Sequence, residues 1–211
     1  MVSDMSISIV LAIFIMVLMG LYKWSDRPLG DSILFKLKNL LGVFVASVLY
    51  FVMAYHLTNL YITRDHGVEE FILLNGGIYT SLLWIVQIGL GSLVPLALLY
   101  SPSTGQSRGW IGIASILVIM GGMAQMFVII IGGQAFPMEL FPGKEVSSSF
   151  YDGVVGTYTP SLPEIVLGIG GVAIALAATF AGVRVLRFLP SSLADEVVDP
   201  HYSAGEAEAT A

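Results

Sequence analysis

The sequence predicts an all-α integral membrane protein with five transmembrane helices, its amino terminus outside the cell and its carboxyl terminus in the cytoplasm. The first observation is composition: of 211 residues, 56% are hydrophobic and only 11% are charged, whereas soluble domains carry about 25% charged residues. The second is a mean hydropathy of +0.85. The third is the distribution of the charges, which leaves five long stretches without Asp, Glu, Lys or Arg.

Each charge-free stretch is long enough to cross the hydrocarbon core, which takes a helix of about 20 residues. Only helices are expected here, because an open strand would leave backbone groups without hydrogen bonds in lipid. These stretches place the helices of a transmembrane bundle, residues 1–190, at about 5–22, 39–61, 78–100, 110–133 and 164–187.

The connections differ in character. Residues 23–38 mix lysines with Trp24 and Phe35 and predict a short helix lying in the headgroup region. Residues 62–77 and 134–163 form two long outer loops. The segment 191–211 is rich in Ser, Ala and acidic residues and is predicted to be a disordered cytoplasmic tail.

The fifth helix has a recognisable start. Ser161, Pro163 and Glu164 match a capping box, in which the glutamate returns to the free amides of the first turn. Further along, small residues at helical spacing predict a face that another helix approaches closely: Gly171, Ala175, Ala178 and Gly182.

The basic residues orient the bundle. Seven of them fall on one side and two on the other, and an excess of Lys and Arg marks the cytoplasmic side. The cytoplasmic set is Lys23, Arg27, Lys36, Lys38, Arg108, Arg184 and Arg187, and the outer pair is Arg64 and Lys144. The net charge of −6 belongs mainly to the acidic tail, so the membrane body is nearly neutral.

The chain has no cysteine and three histidines, and only His56 of these lies within a predicted helix. Iron–sulfur clusters, covalently attached haem, thiolate zinc sites and disulfides are therefore excluded. A haem held between two intramembrane histidines is not expected either. The sequence also lacks a phosphate-binding glycine loop, a zinc-protease motif, a serine nucleophile motif and a basic face for nucleic acid. No metal site and no catalytic residue is predicted.

Polar residues inside a membrane are costly and therefore indicate function. In this sequence they collect towards the outer side of the bundle. An apolar slot with hydrogen-bond donors and proton-accepting groups suits a quinone. Ordinary helix-bridging hydrogen bonds and, for Glu164, a capping role are the alternatives. The candidates for a quinone site or a proton path are His56, Glu69, Glu70, Tyr79, Gln87, Gln125, Glu139, Asp152 and Glu164.

The second outer loop is long and apolar for a connection between neighbouring helices. Such a loop is expected to cover a ligand mouth or to dock a partner. The aromatic residues predicted to contact a partner are Phe141, Phe150, Tyr151 and Tyr158.

Two stretches resemble the polysulfide-reductase membrane subunits of the NrfD or PsrC type. They are residues 65–91, DHGVEEFILLNGGIYTSLLWIVQIGLG, and residues 132–176, which begin GGQAFPMELFPGKEV. The resemblance is strongest over residues 39–190. It is nearest to the branch found in sulfite-reduction-associated and hydrogenase-linked complexes.

The resemblance implies a multi-pass subunit of a respiratory oxidoreductase complex in a bacterial or archaeal cell membrane. Such a subunit links menaquinone or ubiquinone to a ferredoxin-like iron–sulfur protein on the outer face, and sulfur metabolism is the expected setting. Family members have eight to ten helices, so these five correspond to the carboxyl-terminal half. We therefore expect other membrane subunits, including a chain that supplies the missing amino-terminal helices.

The sequence is compatible with two alternatives. The chain is a purely structural anchor whose complex carries out quinone chemistry in another subunit, or it is a small transporter. A transporter would show inverted repeats, and the two halves of the sequence show no convincing repeat.

Overall fold

The computed structural model describes residues 2–137, 153–186 and 189–200, and these are helical apart from their connections. The α-helices are α1 (Val2–Trp24), α2 (Asp31–Tyr61), α3 (His66–Glu70), α4 (Ile78–Ser81), α5 (Val94–Tyr100), α6 (Arg108–Phe127), α7 (Gly133–Ala135), α8 (Leu162–Leu186) and α9 (Asp195–Val198). Three π-helical segments are continuous with α-helices: Phe71–Asn75 directly follows α3, Leu82–Leu93 joins α4 to α5, and Val128–Gly132 joins α6 to α7.

The prediction of five spans is confirmed. Helices long and apolar enough to cross a membrane are Met5–Trp24, Asp31–Tyr61, Ile78–Tyr100, Arg108–Ala135 and Leu162–Leu186. The third span joins α4, a π-helical segment and α5, and the fourth joins α6, a π-helical segment and α7. The predicted boundaries differ from the observed ones by a few residues, except at the start of the second span.

The prediction of a separate interfacial helix within residues 23–38 is wrong. From Asp31 onwards this segment is the first part of α2, which continues without a break for 31 residues. At 1.5 Å per residue α2 is about 46 Å long, which exceeds the ~30 Å hydrocarbon core. No proline or glycine interrupts residues 31–41, so nothing in the sequence ends the helix before the membrane begins.

The chain divides into two compact units, which are residues 1–13 with 40–159 and residues 14–39 with 160–211. In the first unit, the third and fourth spans approach closely through two glycines. A Cβ atom placed on Gly91 would lie 2.4 Å from the Cα atom of Gly121. Because only hydrogen fits between these backbones, glycine at both positions allows the contact.

In the second unit, the residues that follow α8 pack on the connection between α1 and α2. The Gly30 amide donates to the Leu193 carbonyl (2.7 Å), and the Leu193 amide donates to the Pro28 carbonyl (3.0 Å). The Asp195 carboxylate accepts the free amides of Asp31 (3.1 Å) and Ser32 (2.9 Å) at the start of α2. These are the amides that a helix start leaves without a partner.

The predicted disorder of residues 191–211 therefore does not hold for residues 191–200. The acidic residue Asp195 is not merely solvated, because its carboxylate accepts two of the first amides of α2 and so caps the start of this helix. The rest of that prediction, residues 201–211, lies outside the described residues.

The predicted start of α8 matches the structure. The Ser161 amide donates to the Glu164 carboxylate (2.7 Å), as a capping box requires. No residue of α8 is buried. What its face of small residues packs against stays a prediction.

Candidate functional site: a polar cavity among the second, third and fourth spans

A cavity of about 210 Å³ lies within the first unit. Its polar lining comes from α2, from the segment after α2, and from the third and fourth spans: Tyr55, His56, Asn59, Asp65, Glu69, Gln87 and Gln125. Apolar side chains complete the wall: Val52, Val68, Ile72, Leu83, Val128 and Ile129. The cavity therefore combines apolar walls with a few convergent polar groups, which is typical of ligand sites.

Helix α2 supplies one face of the cavity. Val52, Tyr55, His56 and Asn59 follow one another at spacings of three, one and three residues, which places them on one side of a helix. The imidazole of His56 is largely buried, with 14% of its side chain exposed. A titratable group thus lies inside a membrane-spanning helix.

Glu69 reaches this face from α3 and is 1% exposed. One carboxylate oxygen pairs with Nδ1 of His56, and the other accepts a hydrogen bond from Nδ2 of Asn59 (3.1 Å). A buried carboxylate is tolerated only when it is paired and hydrogen-bonded. Both of its oxygens are satisfied by the α2 face, so Glu69 ties α3 to α2.

The opposite wall is built largely from π-helical backbone. Gln87 and Leu83 belong to the segment Leu82–Leu93, and Val128 belongs to Val128–Gly132. The extra residue per turn in a π-helix changes which side chains face inward, and such segments are frequent at functional sites. Backbone geometry, together with residue spacing, therefore determines the position of Gln87.

Two amide side chains in this wall lack hydrogen-bond partners. Gln87 is 4% exposed and Gln125 is 1% exposed. Oε1 of Gln87 and both Oε1 and Nε2 of Gln125 are buried and make no hydrogen bond to any described residue. Because more than nine in ten buried polar groups are normally paired, these three atoms are suited to bind water or a ligand.

The same two glutamines also line a second, smaller cavity of about 20 Å³ in the first unit. Ser8 from α1 and Ser92 from the third span face it as well. That volume is enough for one water molecule, and the site offers the polar partners a water needs. Gln87 and Gln125 thus stand between a ligand-sized cavity and a water-sized one.

The structure brings together four of the residues predicted for the site, namely His56, Glu69, Gln87 and Gln125. Glu70 is exposed and accepts a hydrogen bond from Asn75 (3.1 Å) instead. The Tyr79 ring is buried against Phe71 and Phe127 and does not line the cavity.

Glu164 caps α8 in the second unit, as described above. Tyr158, one of the predicted docking aromatics, is 43% exposed and contacts Phe127, with a ring-centroid distance of 6.3 Å. The remaining predicted residues lie outside the described part of the chain: Glu139, Phe141, Phe150, Tyr151 and Asp152.

Sequence reasoning missed Tyr55, Asn59 and Asp65. The signal for Asn59 was its position three residues after His56, on the same face of a predicted span. Tyr55 is next to His56 in sequence, and its ring meets the imidazole edge-on at 5.4 Å. Asp65 had no comparable signal, because its position depends on how the segment after α2 folds back.

A family model identifies the family to which this chain belongs. The model described as "Polysulphide reductase, NrfD" matches residues 1–138, which contain all the described residues that line the cavity. The chain belongs to the NrfD family. The match includes the stretch 65–91 that suggested the family and ends before most of the stretch 132–176.

This NrfD-family chain is also similar to two curated archaeal proteins. It is 29% identical over 181 residues to the Hdr-like menaquinol oxidoreductase integral membrane subunit of Archaeoglobus fulgidus, covering 84% of this chain and 45% of that protein. It is 29% identical over 158 residues to a protein of Halobacterium salinarum named as a membrane subunit of dimethyl sulfoxide reductase, covering 71% of this chain and 36% of that protein. The chain thus spans less than half the length of these relatives. No solved structure matches it.

Proposed function

We propose that this NrfD-family chain is a membrane subunit of a quinone-linked respiratory oxidoreductase complex and that the cavity of about 210 Å³ in the first unit binds the quinone head group. The observation that carries the proposal is the cavity itself. A buried, paired carboxylate and imidazole face two buried amides with free hydrogen-bonding atoms. Family membership and the name of the menaquinol oxidoreductase subunit support the choice of quinone over other ligands.

The size of the cavity agrees with a head group. Sites for whole drug-sized ligands measure about 300–1,000 Å³, and this one measures about 210 Å³. It therefore has room for a ring with its carbonyl groups, while the isoprenoid tail stays among the lipid chains. Menaquinone or ubiquinone would meet the apolar wall of Ile72, Leu83 and Val128 with the ring.

When bound as quinol, the ligand supplies two electrons and two protons. Glu69 and His56 are the groups that accept a proton, since the carboxylate and the imidazole form one hydrogen-bonded pair. With Nδ1 engaged by Glu69, Nε2 of His56 is the ring nitrogen left for the ligand. Asn59 holds the carboxylate in place through its amide.

Gln87 and Gln125 would orient the ligand and connect it to the neighbouring water-sized cavity. An amide can donate through Nε2 and accept through Oε1, so the pair can meet a carbonyl or a hydroxyl oxygen of the ring. Their second contact is with the water-sized cavity beside Ser8 and Ser92. A water there would extend the hydrogen-bonded route past the glutamines.

A partner must carry the electrons onward. The chain has no cysteine to ligate an iron–sulfur cluster, so a ferredoxin-like iron–sulfur subunit is proposed to dock on the outer face near Tyr158. Because the chain spans less than half of its curated relatives, another membrane chain that supplies further helices belongs to the same proposal.

The quinone site can be tested by comparing substitutions of the neighbouring residues Glu69 and Glu70. Glu69→Gln in the assembled complex removes the proton acceptor and is expected to lower the rate of quinol oxidation about 100-fold, the low end of the range for general acid–base groups. Glu70→Gln is the matched control, because Glu70 is exposed and does not line the cavity. Equal rates for the two variants would contradict the site.

The partner is tested by purification of the native complex in mild detergent. An iron–sulfur protein with ferredoxin-like cysteine spacing is expected to copurify. If quinol oxidation survives Glu69→Gln while the iron–sulfur protein still copurifies, the chain is a structural anchor and the quinone site lies in another subunit.

A further inference from the structure

A third cavity, an open cleft of about 660 Å³, lies in the second unit, at the carboxyl-terminal ends of the first and fifth spans. It is lined by Trp24, Ser25, Arg27, Val183, Arg184 and Leu189. The first and fifth spans of a five-span chain run in the same direction across the bilayer. The cleft therefore lies at one membrane boundary, the one that the basic residues mark as cytoplasmic.

The cleft is positively charged. Of the described residues that line it, Arg27 and Arg184 are charged and none is acidic. Among the described residues, neither arginine forms a salt bridge. The lining therefore carries two positive charges that an anion can approach.

Both guanidinium groups are held in place by contacts that do not neutralise them. Nη1 of Arg27 donates to the carbonyl oxygens of Leu189 (2.8 Å) and Pro190 (3.0 Å). The Arg184 guanidinium lies 6.0 Å from the centre of the Trp24 ring, within the range of a cation–π contact. The two donors are therefore positioned before any ligand arrives, which lowers the entropic cost of binding.

The cleft is also amphipathic. The indole of Trp24 is 56% exposed and packs edge-on against Phe180 at 5.3 Å. Tryptophan at the end of a span typically lies at the headgroup level of the bilayer. Val183 and Leu189 add apolar surface beside the two arginines.

We propose that this cleft binds the phosphate group of an anionic phospholipid, with Arg27 and Arg184 on the phosphate oxygens and the acyl chains along the apolar surface. Arginine matches phosphate through two parallel hydrogen bonds. Basic pockets between membrane helices are known to bind anionic head groups. The apolar surface favours a phospholipid over free phosphate as the source of the anion.

The test measures lipid binding to the purified chain in detergent by native mass spectrometry. Phosphatidylglycerol is expected to remain bound, and phosphatidylcholine is expected to be lost at the same activation energy. Arg184→Gln should weaken phosphatidylglycerol binding about tenfold. Lys23→Gln is the matched control, since Lys23 is an exposed cation at the end of α1 that does not line the cleft.

Three outcomes would each overturn the proposal. Equal losses in Arg184→Gln and Lys23→Gln would show nonspecific attraction to basic residues. Equal retention of the two lipids would show that the acyl chains alone bind. Displacement of phosphatidylglycerol by millimolar inorganic phosphate would identify free phosphate as the ligand. Arg184→Lys, which keeps the charge and loses the paired donors, should give intermediate binding.

Discussion

Two neighbouring glutamate side chains have opposite surroundings. Glu69 is buried in the first unit and bonded to His56 and Asn59, whereas the adjacent Glu70 is exposed. Sequence composition could not separate these two glutamates, because both belong to the same acidic pair after α2. The helical turn from His66 to Glu70 separates them, since successive residues point about 100° apart on a helix.

The two unpartnered amides give a prediction about stability. Gln87→Leu removes a buried oxygen that makes no hydrogen bond, so the variant is expected to unfold at the same temperature as the wild type or a few degrees higher. The reason is that an unsatisfied buried polar group costs about 1–3 kcal/mol. Thermal unfolding in detergent without added quinone measures the effect.

The same variant should lose ligand binding, which separates stability from function. A control is Gln134→Leu, since Gln134 is exposed and lies outside the cavity. A clear fall in the unfolding temperature of Gln87→Leu would mean that the amide is already satisfied by water in the empty protein.

At the element scale, the start of α2 depends on a residue far away in sequence. Asp195 accepts the amides of Asp31 and Ser32, and Gly30 leaves room for it, because a Cβ atom there would lie 2.2 Å from the carboxylate. A sequence window around residue 31 does not contain this information. The predicted start at residue 39 followed the hydrophobic pattern, which reports where the helix enters lipid and not where it begins.

Asp195→Ala is therefore expected to lower the free energy of unfolding by about 1 kcal/mol, the usual cost of losing an N-terminal cap. Hydrogen exchange at the amides of Asp31 and Ser32 should become faster, because both lose their acceptor. Glu196→Ala is the control, as Glu196 is exposed and makes no contact with α2 among the described hydrogen bonds. Unchanged exchange in Asp195→Ala would refute the cap.

The contact between the third and fourth spans gives a second prediction at this scale. Gly121→Ala places a methyl group 2.4 Å from Cα of Gly91, so the two spans must move apart. We expect a loss of about 1–3 kcal/mol in unfolding free energy, which is typical of overpacking. Thermal unfolding in detergent measures it.

Gly20→Ala in α1 is the matched control, because nothing lies within 4 Å of the added methyl group. There the change is expected to be neutral or stabilising, by up to about 1 kcal/mol, since alanine favours helix more than glycine does. Similar destabilisation at both positions would show that the Gly91–Gly121 contact is not specific.

At the scale of the whole molecule, the topology predicts which surfaces face which compartment. The chain has no cysteine, so a single introduced cysteine can be labelled without background. Val154→Cys, on the predicted outer loop, should react with a membrane-impermeant maleimide in intact cells. Ser103→Cys, between the third and fourth spans, should react only after the membrane is opened. The reverse pattern would invert the proposed orientation and place the iron–sulfur partner on the other face.

The membrane class and the five spans could be predicted from the sequence because lipid constrains each spanning helix by itself. The family could be predicted from the motifs in residues 65–91 and 132–176. A helix that crosses the bilayer must be apolar for about 20 residues, whatever it packs against. The same rule made His56, Gln87 and Gln125 conspicuous, as polar groups in apolar runs. Their grouping with Glu69 followed from helix direction and depth alone.

How these groups meet depends on contacts that form when the chain folds. It pairs Glu69 with His56 and Asn59, turns Gln87 inward on a π-helical segment, leaves Tyr79 in an aromatic cluster, and starts α2 with Asp195. Each of these depends on contacts between segments distant in sequence or on a local change of helical pitch. The position of a residue within an apolar stretch indicates how deep it lies in the membrane, but it does not indicate which neighbour satisfies a buried polar atom.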